Sequence, residues 1–424
     1  MCRIIIIGGG WAGCSAALRA RKAGAEVLLF EKTDMLLGLG NVGGIMRNNG
    51  RFTAAEENIA LGNGELFKIT DKLAVHKNVD FPGHRHASFY DVAMVEPEVR
   101  RLLADVGVRM VFVKRIVDVI KDGNTLKGVV DADGNMYEAD AFVETTGSTG
   151  PMGNCMRHGN GCSMCVLRCP AFGPRVSITE RCGLDDLFAR KADGTVGAFS
   201  GSCKLEKRTL SGKLQKKLSK EGVAVIPLPD HLVNREKLGK KVCRQYALDA
   251  FAENLVLIDT GHAKLMTPFF NLEDLRQVEG FENVRFADPY AGGKGNSVRY
   301  MSVGVRDRFM KAVGVDNLFL GGEKSGFFVG HTEAIITGAL AGFNAARWAK
   351  GETLLKLPEE LATGDLLTYA AEVLKEPDGM DRRFTFAGGE YFERMKERGL
   401  YSTDAKAITK KVEALGLLDV YNAR

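Results

Sequence analysis

An α/β fold with a Rossmann-like domain at its N-terminus is predicted by three features of this 424-residue sequence. The apolar, β-branched run Ile4–Ile7 has the composition of a parallel strand buried on both faces, and it leads directly into a glycine-rich turn. A second apolar segment, Asn317–Glu323, also ends in glycines and precedes a long helical pattern. Amphipathic, charge-rich segments follow Leu354 and predict a small helical C-terminal module.

The turn after the first strand carries the most specific motif. Residues 8–13 read Gly-Gly-Gly-Trp-Ala-Gly and match the G-x-G-x-x-G fingerprint of dinucleotide-binding folds. In that fingerprint Gly8 makes a tight turn, Gly10 lets the backbone approach a pyrophosphate, and Gly13 lets the next helix pack on the strand. Glu31 follows the second predicted strand, where an acid accepts hydrogen bonds from ribose hydroxyl groups. The order of these elements predicts a dinucleotide site.

The other elements of this domain are predicted from local patterns. An alanine-rich helix at about 14–23 and a strand at 27–30 follow the turn. Residues 140–147 predict a strand ending in Thr-Gly, and residues 332–348 predict a helix whose N-terminus would stabilise negative charge on a bound cofactor. Alternating apolar residues and turn sequences predict a small β-meander from segments 110–113, 116–120, 126–132 and 136–137.

The pattern resembles flavoproteins with two dinucleotide-binding domains, and it is most similar to the glucose-inhibited division protein A family and its folate-dependent relatives. Members of that family use FAD to modify uridines in tRNA. The resemblance rests on Ile4–Glu31 and on Asn317–Arg347, which contains Gly338-Ala-Leu-Ala-Gly-Phe-Asn-Ala-Ala-Arg. It implies FAD as the cofactor. The cysteines of the folate-dependent members have no counterpart near Gly38–Gly44.

A FAD site built from several distant segments is therefore expected. The glycine-rich loop 38–44 has two interpretations, a loop that wraps the cofactor and a surface loop. The expected cofactor-binding residues are Gly8, Gly10, Ala12, Gly13, Glu31, Lys32, Gly43, Gly44, Thr146, Gly147, Gly322, Glu323 and Thr332.

Four segments divide the chain in this interpretation. Residues 1–150 and 301–352 form the first and second parts of the FAD-binding domain. Residues 151–300 break its pattern and form an inserted, cysteine-rich α+β substrate domain. Residues 353–424 form the helical C-terminal module, for which packing on the FAD domain, a dimer contact and a partner-binding role all remain open.

A cluster of cysteines predicts a metal centre in the inserted domain. The Cys-x2-Cys-x3-Cys-Pro ending is the tail of the bacterial ferredoxin motif, which predicts one [4Fe–4S] cluster. Zinc and a redox-active Cys162–Cys165 pair are the alternatives, and Cys182 and Cys203 could replace a ligand. The predicted ligands are Cys155, Cys162, Cys165 and Cys169.

Candidate catalytic residues are histidines and one arginine near the expected cleft. His84 and His86 follow a Pro-Gly turn and could supply a general acid or an anion clamp. His331 stands at the start of the predicted helix beside the cofactor. Arg299 precedes the last strand of the FAD domain and could bind an anionic substrate.

Three functions follow from these sites. The leading one is a FAD-dependent oxidoreductase that moves electrons between FAD and the iron–sulfur centre. The alternatives are a FAD-dependent enzyme that modifies tRNA or rRNA uridines, and an electron-transfer subunit without catalysis of its own. The substrate is then a small molecule or an RNA. An electron-donor protein and a homo-oligomer remain open as partners. The lysine-rich stretch 204–220 is either a solvated face or a surface that follows RNA phosphates.

The amino-acid composition indicates the class of protein and its cellular compartment. With 45 % hydrophobic and 26 % charged residues, the chain has the composition of a soluble globular protein. No apolar run reaches about 18 residues, so we expect no membrane contact and a cytoplasmic location. Nine cysteines in that compartment favour metal ligation or redox chemistry over disulfides. The net charge of +5 is compatible with a nucleic-acid partner without requiring one.

Overall fold

The computed structural model of the protein describes residues 1–147, 172–190, 194–196, 198–199, 203–239, 244–267, 270–287, 298–299 and 301–422. Its strands, in chain order, are β1 (Arg3–Ile7), β2 (Glu26–Phe30), β3 (Ile45–Met46), β4 (Ala74–Phe81), β5 (His84–Tyr90), β6 (Arg109–Val111), β7 (Ile116–Asp122), β8 (Thr125–Asp131), β9 (Met136–Glu138), β10 (Ala141–Glu144), β11 (Leu187–Phe188), β12 (Ala198–Phe199), β13 (Cys203–Leu205), β14 (Val223–Pro227), β15 (Asn254–Asp259), β16 (Ala263–Leu265), β17 (Val298–Arg299), β18 (Ser302–Val303) and β19 (Leu318–Leu320). Its α-helices are α1 (Trp11–Lys22), α2 (Gly40–Gly43), α3 (Gly50–Ala60), α4 (Glu65–Lys72), α5 (Val95–Asp105), α6 (Ile178–Arg181), α7 (Gly212–Glu221), α8 (Glu236–Gly239), α9 (Ala250–Glu253), α10 (Leu272–Leu275), α11 (His331–Ala349), α12 (Ala362–Val373), α13 (Gly389–Glu397) and α14 (Ala405–Ala414).

A five-stranded parallel sheet forms the centre of the fold, in the order β6-β2-β1-β10-β19. Ile5 pairs with Leu28 on one side and with Phe142 on the other. Residues Ile4–Ile7 are all buried, as expected of a strand covered on both faces. The strand order reverses between β1 and β10, and in such folds ligands bind beyond the carboxyl ends of the strands at this point.

Helices α1 and α11 pack against each other at very short distance. A Cβ atom at Gly338 would lie 2.1 Å from the carbonyl oxygen of Ala12, and one at Gly342 would lie 2.1 Å from that of Ala16. Only glycine leaves room for the neighbouring backbone at these two positions, one helical turn apart. The helix predicted at 332–348 is thus present, and its glycines are explained by this contact.

Three of the four segments predicted to form a meander do so, as the antiparallel sheet β7-β8-β9. The prediction for residues 110–113 is wrong. These residues contribute to β6, which joins the edge of the central sheet with Met110 opposite Leu29. A strand of three residues carries no local signal that identifies its pairing partner.

The middle of the chain forms the antiparallel sheet β13-β16-β15-β14 with α7 packed on it. Leu214 and Leu218 of α7 share one core with Leu257 of β15. A second core joins Phe89 of the β4–β5 hairpin to Phe251 of α9. The inserted region therefore packs on the β4–β5 hairpin, which belongs to the predicted first part of the FAD-binding domain.

The C-terminal helices pack on the core that covers the central sheet. The Tyr421 ring lies 5.2 Å from the Phe343 ring of α11, and Val412 of α14 belongs to the same core as α1 and α11. The buried carboxylate of Glu57 in α3 accepts hydrogen bonds from the backbone N–H groups of Ala362 (2.8 Å) and Thr363 (2.9 Å) at the start of α12. This module thus stabilises α3 and α11, which both border the site.

Candidate functional site

A deep cleft opens at the carboxyl ends of β1 and β10, where the strand order reverses. Its walls come from the fingerprint turn, the loop 37–43, the end of β19 and the start of α11. The predicted cofactor-binding residues that line it are Gly8, Gly10, Ala12, Glu31, Lys32, Gly43, Thr146, Gly147, Gly322 and Glu323.

The glycines of the fingerprint turn differ in what surrounds them. A Cβ atom at Gly13 would lie 1.8 Å from the carbonyl oxygen of Gly8, so Gly13 is required by the packing of α1 on the turn. A Cβ atom at Gly10 would meet nothing within 4 Å, so Gly10 faces the open cleft. Helix α1 begins at Trp11, directly after Gly10. Its unpaired N–H groups and the positive end of its dipole therefore lie next to Gly10. This part of the cleft fits a pyrophosphate group.

Glu31 supplies the acid that the fingerprint requires. Its buried carboxylate accepts hydrogen bonds from the N–H groups of Gly9 and Thr33, each at 2.8 Å. These bonds hold the side chain beside the turn. Each carboxylate oxygen accepts up to two hydrogen bonds, so both retain capacity for the hydroxyl groups of a ribose.

Three predicted cofactor residues lie behind the cleft lining. Gly13 contacts Gly8 as described above. Gly44 has a φ of +81°, and a Cβ atom there would lie 2.4 Å from a Thr260 side-chain carbon. Thr332 is fully buried in the first turn of α11 and contacts the sulfur of Met46 at 3.6 Å.

The structure brings one of the candidate histidines to the cleft. His331 is the first residue of α11 and lines the cleft beside Gly43, where an added Cβ would lie 1.6 Å from the imidazole ring. The Tyr90 hydroxyl lies 3.0 Å from Nδ1 of His331, and the ring centroids of Trp11 and His331 lie 6.0 Å apart. Burial raises the pKa of Tyr90 well above its usual range, so Tyr90 remains a neutral phenol beside the imidazole.

The other candidates lie elsewhere or are only partly described. His84 is buried outside the cleft lining, with Nε2 3.1 Å from the carbonyl oxygen of Gln245 and its ring stacked on Phe81. His86 contacts Asn78 at the partly exposed β4–β5 hairpin. Arg299 belongs to β17, of which the structure describes the backbone.

A network of buried charges supports the end of β10 and was not predicted. Glu144 accepts hydrogen bonds from the N–H groups of Ile178 and Thr179, each at 2.9 Å. Lys324 donates to both oxygens of Asp186 at 2.5 Å, and all of these charged side chains are buried. Burial raises the pKa of Asp186, but the neighbouring Lys324 and Arg175 cations outweigh burial and lower it to about 2.

We expect Asp186 to make the protein acid-sensitive below pH 4. Its pKa is lower in the folded state than its ordinary value of 3.8, so its contribution to stability is present above pH 4 and is lost as the pH falls towards 2. Urea unfolding between pH 4 and 2.5 should show this loss in the wild type and a weaker pH dependence in Asp186→Asn. Equal slopes in the two proteins would contradict the assignment.

Two lysines fix the glycine-rich loop at the edge of the cleft. Lys264 of β16 lines the cleft and donates to the carbonyl oxygens of Val42 (2.9 Å) and Gly43 (2.5 Å). Lys204 of β13 donates to Asn41 at 2.7 Å. These carbonyl groups end the short helix α2, where cations are favourable. The loop is thus a wall of the cleft that the inserted sheet holds in place.

The four predicted metal ligands, Cys155, Cys162, Cys165 and Cys169, lie outside the described residues. Within the described ranges, no group of three or more His, Cys, Asp or Glu residues could hold a metal ion. Cys182 and Cys203 are buried in separate apolar cores, and burial raises the pKa of each thiol to about 12. Both thiols are therefore protonated at neutral pH when no metal is bound.

Comparison with known families gives a match over most of the chain. The family model described as "Glucose inhibited division protein A" matches residues 3–259 and 261–353. The tRNA uridine 5-carboxymethylaminomethyl modification enzyme MnmG of Alkaliphilus metalliredigens is 26 % identical over 149 residues, which cover 34 % of this chain and 24 % of that protein. The methylenetetrahydrofolate–tRNA-(uracil-5-)-methyltransferase TrmFO of Bacillus pumilus is 41 % identical over 61 residues, 14 % of each chain. The matched stretches span about a quarter or less of these two relatives.

Comparison with solved structures supports the fold. The structure of Aquifex aeolicus GidA superposes with a TM-score of 0.67 at 17 % identity, covering 97 % of this chain and 78 % of that chain. This likeness confirms the α/β, Rossmann-like class predicted from the fingerprint. Among the helices that the structure describes, none is long and apolar enough to cross a membrane.

Proposed function

Because the chain belongs to the glucose-inhibited division protein A family, we propose that it is a FAD-dependent enzyme that modifies uridines in tRNA. The family match over residues 3–259 and 261–353 carries this proposal. Both relatives named above are tRNA uridine-modifying enzymes by name. These findings favour this alternative over electron transfer to an iron–sulfur centre, which none of the comparisons supports.

The residues of the cleft fit FAD. The open space at Gly10 and the N–H groups at the start of α1 suit the pyrophosphate, and Glu31 suits the ribose. Gly322, Glu323 and the N-terminus of α11 complete the cleft away from the fingerprint turn. When bound, FAD would supply the redox chemistry at its flavin ring.

His331 is our candidate for proton transfer within the cleft. Its imidazole is the candidate catalytic group that lines the cleft, and Tyr90 and Trp11 fix its position. The imidazole therefore places a titratable group on the wall of the cleft, where a substrate would lie. Uracil modification requires proton transfer at its ring carbon atoms, and an imidazole suits that task near neutral pH.

A thiol nucleophile cannot come from the cysteines that the structure describes. The described cysteines are Cys2, Cys14, Cys182 and Cys203, and none of them lines the cleft. The loop 38–44, which borders His331, contains no cysteine. A thiol that takes part in the reaction must therefore belong to the segment 148–171 or be Cys243, both outside the described residues.

One face of α7 supports an RNA substrate. Leu214 and Leu218 are buried on the sheet, and the opposite face carries exposed lysines. Among the described residues, no carboxylate lies within 4.0 Å of these ammonium groups. Regularly spaced, unpaired cations favour contact with a phosphate backbone. The lysines are Lys213, Lys216, Lys217 and Lys220.

Changing these four lysines of α7 to glutamine should weaken tRNA binding and flatten its salt dependence. Each lost phosphate contact lowers the slope of log K against log salt by about 1. Filter binding between about 50 and 200 mM salt measures both effects. The matched control changes four exposed lysines on the C-terminal side, Lys356, Lys396, Lys406 and Lys410. Equal losses in the two variants would argue against a specific RNA-binding face.

The reaction itself is tested on tRNA. Purified protein is incubated with FAD, a reductant, methylenetetrahydrofolate as the one-carbon donor and tRNA from a strain that lacks the gene, with and without glycine, and nucleosides are analysed by mass spectrometry. The expected product is a uridine substituted at C5, either 5-methyl or 5-carboxymethylaminomethyl. A His331→Phe variant should keep FAD and tRNA binding but lose turnover. If no tRNA nucleoside changes under any of these conditions, the result would argue against the proposal.

The [4Fe–4S] cluster remains a prediction from the cysteine spacing. Anaerobically purified protein should contain iron and sulfide, and Cys165→Ser should lose both while it retains FAD. Stoichiometric zinc, or a Cys162–Cys165 disulfide without metal, would replace the cluster by one of the two alternatives.

A further inference from the structure

A second cavity lies on the other side of the wall that borders the cleft. It has a volume of about 330 Å³ and is bounded by segments 305–308 and 325–327 and by α12. Gly322 and Glu323 line the cleft, whereas Ser325 to Phe327 line the second cavity. One short segment of chain thus separates the two, and the proposed reaction uses no residue of the second cavity.

A buried arginine lines this cavity. Arg306 is only 7 % exposed, its guanidinium carbon lies 5.8 Å from the Phe328 ring centroid, and its hydrogen-bond partners are backbone carbonyl groups. Nε donates to Ser325 at 2.9 Å, Nη1 to Asp307 at 3.1 Å and Nη2 to Leu367 at 3.1 Å. A guanidinium group has five N–H donors, so one remains on each terminal nitrogen.

The charge of Arg306 has no carboxylate partner among the described residues. No acidic oxygen lies within 4.0 Å of it, and the Asp307 carboxylate instead accepts hydrogen bonds from Phe309 and Lys311 in its own turn. By contrast, the buried cations Arg51 and Lys324 each have a carboxylate partner. Burial also lowers the pKa of Arg306 to about 10, and the charge of the neighbouring Asp307 offsets this only in part.

The rest of the cavity is apolar inside and charged at its rim. Leu187, Phe327 and Leu374 line its interior. Exposed Arg308 and Lys375 lie at its opening, together with exposed Glu372. Ligand sites commonly combine apolar walls with a few polar groups that fix orientation.

We propose that this cavity binds a small carboxylate carried on an apolar group, with Arg306 holding the carboxylate. The two remaining N–H groups, one on each terminal nitrogen, suit the two oxygens of a carboxylate. Phe327, Leu187 and Leu374 provide apolar surface for the rest of the ligand. The anion also supplies the charge that Arg306 lacks, and an unpaired buried charge is costly.

Benzoate and its neutral counterpart benzamide test the proposal by calorimetric titration of the whole protein. Benzoate should bind, and benzamide should bind at least tenfold more weakly. Ala371→Phe fills the cavity from α12 without altering Arg306, and it should weaken benzoate binding at least tenfold. The matched control, Ala407→Phe, adds the same ring to an exposed position of α14 and should bind benzoate like the wild type.

Arg306→Lys separates the shape of the cation from its charge. This variant should unfold cooperatively, and its affinity for benzoate should be at least tenfold lower than that of the wild type. If Arg306→Lys fails to fold, benzoate binding by Ala371→Phe alone tests the proposal. Equal binding of benzoate and benzamide, unchanged binding by Ala371→Phe, or tighter binding of inorganic phosphate than of benzoate would overturn the proposal. FAD binding by Ala371→Phe should be unchanged, which keeps this test independent of the proposed reaction.

Discussion

Gly10→Leu is expected to weaken FAD binding about 100-fold while the FAD-free protein unfolds at the wild-type temperature. A Cβ atom at Gly10 would meet nothing within 4 Å, so the folded chain has room for the new side chain. That room is the space a pyrophosphate would need to reach the N–H groups at the start of α1. Loss of one or two hydrogen bonds to a charged group costs about 3 kcal/mol, which corresponds to about 100-fold.

Flavin fluorescence titration and thermal unfolding of the FAD-free protein measure the two halves of this prediction. Two control variants bracket it. Gly13→Leu should instead destabilise the FAD-free protein, because its Cβ would lie 1.8 Å from the Gly8 carbonyl oxygen. Gly212→Leu, at an equally open position on α7, should change neither quantity. Wild-type FAD affinity in Gly10→Leu would show that the cofactor does not use this turn.

The N-terminal elements could be predicted from sequence because their signals are local. A parallel strand buried on both faces is apolar throughout, and Ile4–Ile7 shows this directly. The fingerprint fixes the turn and helix that follow. Residues 110–113 show the limit, since their partner strand β2 lies about 80 residues away and leaves no mark on their own pattern.

The charged residues around the site were not predictable in the same way. Asp186 and Lys324 meet across 138 residues, and either one alone in the sequence is an ordinary surface charge. The lysines of the basic stretch 204–220 likewise fall into two groups in the structure, one with contacts inside the protein and one exposed. Lys204 contacts the cleft loop and Lys207 contacts Asp259, whereas the lysines of α7 face solvent. Helical periodicity would have predicted the exposed face, but not the inward contacts.

Glu333→Ala is expected to destabilise the protein by about 3–5 kcal/mol, because it removes the carboxylate that pairs with the buried Arg51 cation. The Glu333 side chain is fully buried in the first turn of α11 and contacts Nε of Arg51 at 3.2 Å. It also accepts hydrogen bonds from the Thr385 hydroxyl (2.7 Å) and the Phe386 N–H group (2.9 Å). One carboxylate thus joins α3, α11 and the segment before α13.

Urea unfolding of the FAD-free protein measures this loss, and an exposed ion pair provides the control. Arg3 and Glu26 are both nearly half exposed, so Glu26→Ala should change stability by less than about 1 kcal/mol. Removing both buried charges with Arg51→Met and Glu333→Ala should cost less than the sum of the single changes, because the two side chains interact directly and that interaction is then lost only once. Additive costs would mean that the two side chains act separately, and the structural role of Glu333 would then rest on Thr385 and Phe386. Since Arg51 also lines the cleft, a coupled result would tie the stability of α11 to the wall of the FAD site.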